Sequence, residues 1–321
     1  MPATFTHCLI AQGATDLIRK QHPYSGKIAM YNQFARIGAA GPDYPYLTDI
    51  INGMLGGHNW ANRMHYENTS KIIELGADKL LKMNKDDNNF AICLSWLCGY
   101  VSHVIVDSFL HPVVNSVVGG IYLFTHENHR HCEMIWDVHI FKNRTGDEIR
   151  DANPRNGFGY LNTLEDCSDP NDPNHLHPAI SQFWTELLQE AHPNATAYFD
   201  SIDPDTWHEN YLKRVNFITD PNPIFRHVWG FKDFEYKYSS EISEEDTDKY
   251  IKNVKLPDGR TVTFDTVFDE TLRMVADIWI KLFKTIDAAT TKSMGEYLKD
   301  WNLDTGVNED KIDLWSKGGS N

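Results

Sequence analysis

The segment GYVSHVIVDSFLHPV spaces His103, Asp107 and His111 at i, i+4 and i+8. On a helix, each step of four residues turns the side chain by about 40°, so the three share one slowly rotating stripe. Their neighbours are apolar: Val101, Val104, Ile105, Val106, Phe109 and Leu110. A buried carboxylate between two imidazoles is costly unless its charge is compensated. A divalent metal compensates it, and zinc accepts both imidazole nitrogen and carboxylate oxygen. For this segment alone, a hydrogen-bonded His-Asp-His ladder without metal is the alternative.

A second segment, ENHRHCEMIWDVH, repeats the spacing with His129, Glu133 and Asp137. Glu127, Arg130 and Glu133 also suit a solvated face, and His126, His131 and His139 compete as ligands from other faces. Two helices that each present a His/carboxylate stripe match the way metal sites are built in bundle cores. A third group lies in GAAGPDYPY and GGHNW, with Asp43 in a Gly-Pro turn and His58 just ahead of a helix beginning near Trp60. With His7 near the N-terminus, these residues supply ligands for more than one ion.

The elements that must carry them are helical. Apolar spacing predicts an amphipathic helix over 59–83, a buried helix over 88–118 that breaks near Pro112, and a third over 127–141. The stretch 143–177, rich in Asn, Asp, Gly and Pro, reads as a long loop. Helices follow over 179–191, 205–217 and 265–301. The one clear β signal is the hairpin at 253–264, around Pro257-Asp258-Gly259. The most apolar stretch, 90–124, is interrupted by His103, Asp107 and His111 before it reaches the roughly 18 apolar residues of a membrane span. It therefore reads as a core helix, and no transmembrane segment is expected.

Composition bounds the function. The chain has 321 residues with 41% hydrophobic and 23% charged, which is a folded globular balance. Its formal net charge of −15 disfavours general binding to nucleic-acid backbone, although bound divalent cations can reverse the local field. Cys8, Cys93, Cys98, Cys132 and Cys167 show no zinc-finger spacing and read as free thiols. With no signal-peptide pattern in MPATFTHCLIAQG, this favours a cytoplasmic reading over a secreted one.

Taken in order, these residues resemble the zinc-dependent phospholipase C family, whose fold is shared with single-strand-specific zinc nucleases of fungi and plants. The stretches THCLIAQ, GPDYP, GHNW and SHVIVDSFLH look like the family's local motifs, and the resemblance covers roughly residues 2–140. It implies an all-α multi-helix bundle with a trinuclear zinc site, to which the residues add the small β-hairpin in the C-terminal half. Residues 1–142 would form the metal-binding helical core. Residues 143–321 would be a helical extension packed on it, or part of one continuous domain. The resemblance implies two or three zinc ions. Asp43, His58, His103 and Asp107 would hold one, and His111, His129 and Glu133 another. His7, Asp107 and the terminal amine of Met1 or Pro2 would hold a third, with Asp107 bridging. Asp43 would also act as the catalytic residue that orients or deprotonates water.

The reaction implied is hydrolysis of a phosphoric ester. The expected substrate is a phospholipid headgroup ester, reached by peripheral contact with a membrane. The alternatives are a single-strand-specific nuclease or phosphodiesterase, and a non-catalytic zinc-binding structural domain. Structural zinc has four protein ligands, whereas His111, His129 and Glu133 are three, which leaves an open position and favours catalysis. Tyr44, Trp60 and Tyr66 either line the substrate pocket or pack as core aromatics. Asp300, Asn302 and Asp304 in DWNLDTG are spaced like a calcium loop, but the glycine falls one position late and Lys311 occupies position twelve, so calcium is not expected.

Overall fold

The computed structural model describes residues 4–46, 57–120, 122–151, 160–219, 236–288, 294 and 298–315. The chain is an all-α bundle with three two-stranded hairpins among these residues. Its helices are α1 (Thr4–Ile18), α2 (Tyr24–Met30), α3 (Asn32–Ala40), α4 (Gly57–Tyr66), α5 (Thr69–Lys82), α6 (Asn88–Val118), α7 (Tyr122–Thr145), α8 (Tyr160–Glu165), α9 (Pro178–Ala191), α10 (Pro204–Thr219), the single turn α11 (Glu244–Asp246) and α12 (Phe264–Asp287). The hairpins are β1–β2 (Ser168–Asp169, Asp172–Leu176), β3–β4 (Val254–Lys255, Thr261–Val262) and β5–β6 (Trp301–Asn302, Val307–Asn308).

Helix α6 is the axis of the fold. It is apolar on every face, and Asp87 caps its start by accepting from Asn89 N at 2.8 Å. It is long and apolar enough to cross a membrane, yet almost all of it is buried inside the protein. Helices α1, α3, α5, α7, α9 and α12 pack around it. The α3–α6 crossing is backbone against backbone. A Cβ on Gly99 would collide with the Ala35 carbonyl, and one on Gly38 with the Trp96 carbonyl. On another side, α12 is pinned by Trp279 Nε1, which donates to Cys98 O at 2.8 Å. One apolar core runs from Cys8 to Trp315.

Several sequence expectations change. The helix expected over 59–83 is two helices, because Asn68 takes a left-handed conformation (φ +56°) and turns the chain between α4 and α5. Helix α6 continues through Pro112 as one element, although Pro112 removes one N–H from the ladder. The expected loop over 143–177 contains α8 and β1–β2. Its Asp residues close the hairpin locally: Asp169 Oδ1 accepts from Asn171 N at 2.8 Å and Asp172 Oδ1 from Asn174 N at 3.1 Å. The helix expected over 265–301 ends at Asp287, just past Ile286, the last residue of its buried stripe. DWNLDTG contributes to the hairpin β5–β6. All five cysteines are free and buried, and burial pushes the Cys8 and Cys93 thiols up to about 12.

Candidate metal centre

Helix α6 presents its stripe to one end of the bundle, where α1, the turn after α3, α4 and α7 converge on it. Asp107 is central and buried. Its Oδ1 lies 2.9 Å from His7 Nε2 and 3.8 Å from His111 Nε2. Its Oδ2 lies 3.1 Å from His103 Nε2 and 3.7 Å from His65 Nε2. Asp43, in the 3-10 turn that follows α3, places Oδ1 3.2 Å from His65 Nε2. Across the stripe, Glu133 Oε1 lies 3.4 Å from His111 Nε2 and 3.3 Å from His129 Nε2.

These side chains form three groups whose ligand atoms lie within 4.8 Å of one another: His7, His103 and Asp107; Asp43, His65 and His103; and His111, His129 and Glu133. Each group is able to hold a metal ion. Of the residues singled out in the sequence, the structure brings together His7, Asp43, His103, Asp107, His111, His129 and Glu133. The side chain of His58 lies outside the described residues, as do Met1 and Pro2. His65 joins the cluster and was missed by sequence reading. The available signal was a further histidine within the helix expected to begin near Trp60.

The rings are held from behind. His103 Nδ1 lies 2.9 Å from Ala39 O, His65 Nδ1 2.8 Å from Ala61 O, and His111 Nδ1 3.1 Å from Leu303 O. A carbonyl only accepts, so each Nδ1 carries the proton and each Nε2 is turned to the centre. His7 is placed by the start of α1. Asp137 accepts from Thr6 N and Thr6 Oγ1, both at 2.7 Å, and from Tyr236 Oη at 2.8 Å. It thereby satisfies N–H groups that a helix start leaves open. Burial holds the Asp137 carboxyl above its ordinary value despite these bonds. Asp137 therefore continues the α7 stripe in sequence but anchors α1.

Charge in the cluster is strongly coupled. Burial opposes ionisation of Asp107, yet His103, His111 and His7 hold it well below the usual carboxylate range. Burial is likewise outweighed at Asp43, pulled down to about 2 by the His65 hydrogen bond and His103, and at Glu133, pulled down to about 2 by His129 and His111. Burial disfavours the charged form of His103, but Asp107 raises it to about 9. The donors of this site converge closely. His65 and His103 Nε2 lie 3.2 Å apart. In the metal-free site one proton on His103 Nε2 is shared with the lone pair of His65 Nε2. One divalent cation satisfies both nitrogens and the two carboxylates beside them, and this donor set of imidazole and carboxylate suits zinc. His7 Nδ1 is buried with no hydrogen-bond partner among the described residues.

The other candidates go elsewhere. His131 pairs with Asp246 at 3.1 Å and His139 with Asp265 at 2.7 Å, both on the surface toward the C-terminal half, and His126 is exposed. Tyr44 is fully buried and stacks on Tyr211 at 4.2 Å. Trp60 is also buried, and its Nε1 donates to Ser201 Oγ at 2.9 Å. Tyr66, 41% exposed, stands at the rim beside His65, and so does Tyr46, with ring centroids 5.4 Å apart. In DWNLDTG, Asp300 Oδ1 accepts from Ser70 N and Oγ, while Asp304 Oδ2 accepts from Tyr66 Oη at 2.8 Å. The two carboxylates therefore serve different neighbours.

The family model described as zinc dependent phospholipase C matches residues 6–194. This span includes every residue of the three groups. Neither a curated protein nor a solved structure matches the chain.

Proposed function

The chain belongs to the zinc-dependent phospholipase C family, and from that premise we propose that it hydrolyses the headgroup phosphodiester of a phospholipid. Water adds to phosphorus, the bond from phosphorus to the glycerol oxygen breaks, and diacylglycerol and a phosphorylated alcohol are released. The observation that carries this reading is the convergence of the His65 and His103 Nε2 atoms, 3.2 Å apart, between Asp43 and Asp107.

We assign one ion to Asp43, His65, His103 and Asp107, and another to His111, His129 and Glu133. A third would lie at His7. An imidazole nitrogen has a single lone pair, so His103 serves one ion, whereas the two oxygens of Asp107 face both neighbouring groups. This supports Asp107 as the bridge. Bound zinc supplies Lewis-acid polarisation of a phosphoryl oxygen and lowers the pKa of water held at the site. Asp43, ionised at neutral pH with its carboxyl at about 2, accepts a hydrogen bond from the attacking water and orients it. As a base it is weak, so positioning is its main contribution. Tyr66 and Tyr46 at the rim are the aromatics available to a headgroup. The net charge of −15 favours a lipid or small phosphoester over a polynucleotide.

Metal analysis of the purified protein, joined to assays on phosphatidylcholine, other phospholipids and single-stranded DNA, tests the reading. Zinc with release of a phosphorylated headgroup is expected. Cleavage of DNA with no lipid hydrolysis would overturn the substrate, and the absence of zinc would overturn the centre itself.

A further inference from the structure

Residues beyond the family match reach into the site. The turn of β5–β6 is tied to both α4 and α6. Leu303 N donates to His65 O at 3.0 Å, and Leu303 O accepts from His111 Nδ1 at 3.1 Å. Asp304 follows. Tyr66 Oη donates to its Oδ2 at 2.8 Å, and its Oδ1 stands 3.5 Å from His111 Nδ1. The Asp304 carbonyl accepts from Asn115 Nδ2 at 3.0 Å, one turn beyond His111 on α6.

The hairpin is also seated independently of these polar contacts. Pro112 has no N–H to give the Ser108 carbonyl, and Gly306 lies against that oxygen. With φ at +63°, Gly306 takes a conformation that side chains disfavour, and a Cβ there would come 2.6 Å from Ser108 O and 2.9 Å from Pro112 Cγ. Further along, Trp315 stacks on Phe109 with centroids 4.4 Å apart.

We propose that the β5–β6 turn is a positioning clamp on the metal centre, with Asp304 the positioning residue for His111. The proposal rests on the zinc reading above. A carbonyl and a carboxylate behind one imidazole fix its tautomer and rotation, and the negative charge makes the opposite nitrogen a stronger donor to a cation. Leu303 couples the same turn to α4, so the His65 and His111 sides of the centre keep a fixed separation. The site is thus completed by a segment more than a hundred residues beyond the end of the family match.

The test is zinc affinity of the full-length protein, measured by competition with a chromogenic chelator. Asp304→Asn keeps an oxygen for the Tyr66 hydroxyl and removes the charge, so a purely structural role would leave affinity unchanged. The clamp predicts that the ion at His111, His129 and Glu133 is held about 10- to 100-fold more weakly in Asp304→Asn, with the melting temperature of the metal-free protein unaltered. Gly306→Ala alters no group that faces the centre, and by lifting the hairpin it is expected to weaken zinc in the same direction. Wild-type affinity in either variant would overturn the clamp while leaving the zinc reading intact. A wild-type protein that takes up no zinc would overturn that reading and the clamp with it.

Discussion

His65 and His103 approach through their Nε2 atoms while their Nδ1 atoms are committed to the Ala61 and Ala39 carbonyls. At residue scale this is the sharpest statement about the centre, because two nitrogens and the Asp43 and Asp107 carboxylates are aimed at one point. His65→Ala is expected to lose about one zinc per chain and to lower phosphodiester hydrolysis by at least about 100-fold, the upper end of what removing an outer-shell partner of a ligand costs. Retention of zinc and of activity in His65→Ala, by metal analysis and initial rate, would remove His65 from the ligand set.

At the scale of elements, the centre depends on how closely α3 and α6 approach. Gly38 and Gly99 let the two backbones touch, which brings Ala39 O to His103 Nδ1. Gly99→Ala is expected to destabilise the protein by about 1–3 kcal/mol, as overpacking does, and to weaken zinc binding by moving that carbonyl. Urea denaturation and chelator competition measure the two effects. A second element-level device is His208 on α10. It is fully buried, with Nε2 3.0 Å from Ser168 Oγ, and burial pushes its pKa down to about 4. The folded state holds it neutral, whereas the unfolded chain protonates it near pH 6.5. Its contribution to stability is therefore complete above about pH 6.5 and is lost as pH falls toward about 4, by about 3 kcal/mol in all. Denaturation of the chelated protein across this window should show that slope, and His208→Gln should flatten it.

At the scale of the molecule, the ligands come from α1, the turn after α3, α4, α6 and α7, so an ion that bridges them binds only the assembled fold. Removing zinc with a chelator is then expected to lower the melting temperature by several degrees. An ion at a free concentration a thousand times its dissociation constant contributes roughly 4 kcal/mol. Calorimetry with and without chelator, followed by zinc restoration, measures it; an unchanged transition would show that the bundle stands without its ions.

Much of this was legible in the residues alone. His103, Asp107 and His111 declare themselves because helical periodicity is local, and a buried carboxylate among apolar neighbours demands compensation. Most of the helices follow from the same period, as does the β3–β4 hairpin from Pro257-Asp258-Gly259. Tertiary structure decided what no local pattern encodes. It sent Asp137 to the start of α1, seated Tyr44 and Trp60 in the core, and turned His65 into the cluster. It carried α6 on through Pro112 and laid the β5–β6 turn against His111. Each of these outcomes depends on partners distant in sequence, and an isolated residue type and spacing do not say which partners those are. Periodicity determined which residues share a face; only packing determined what that face meets.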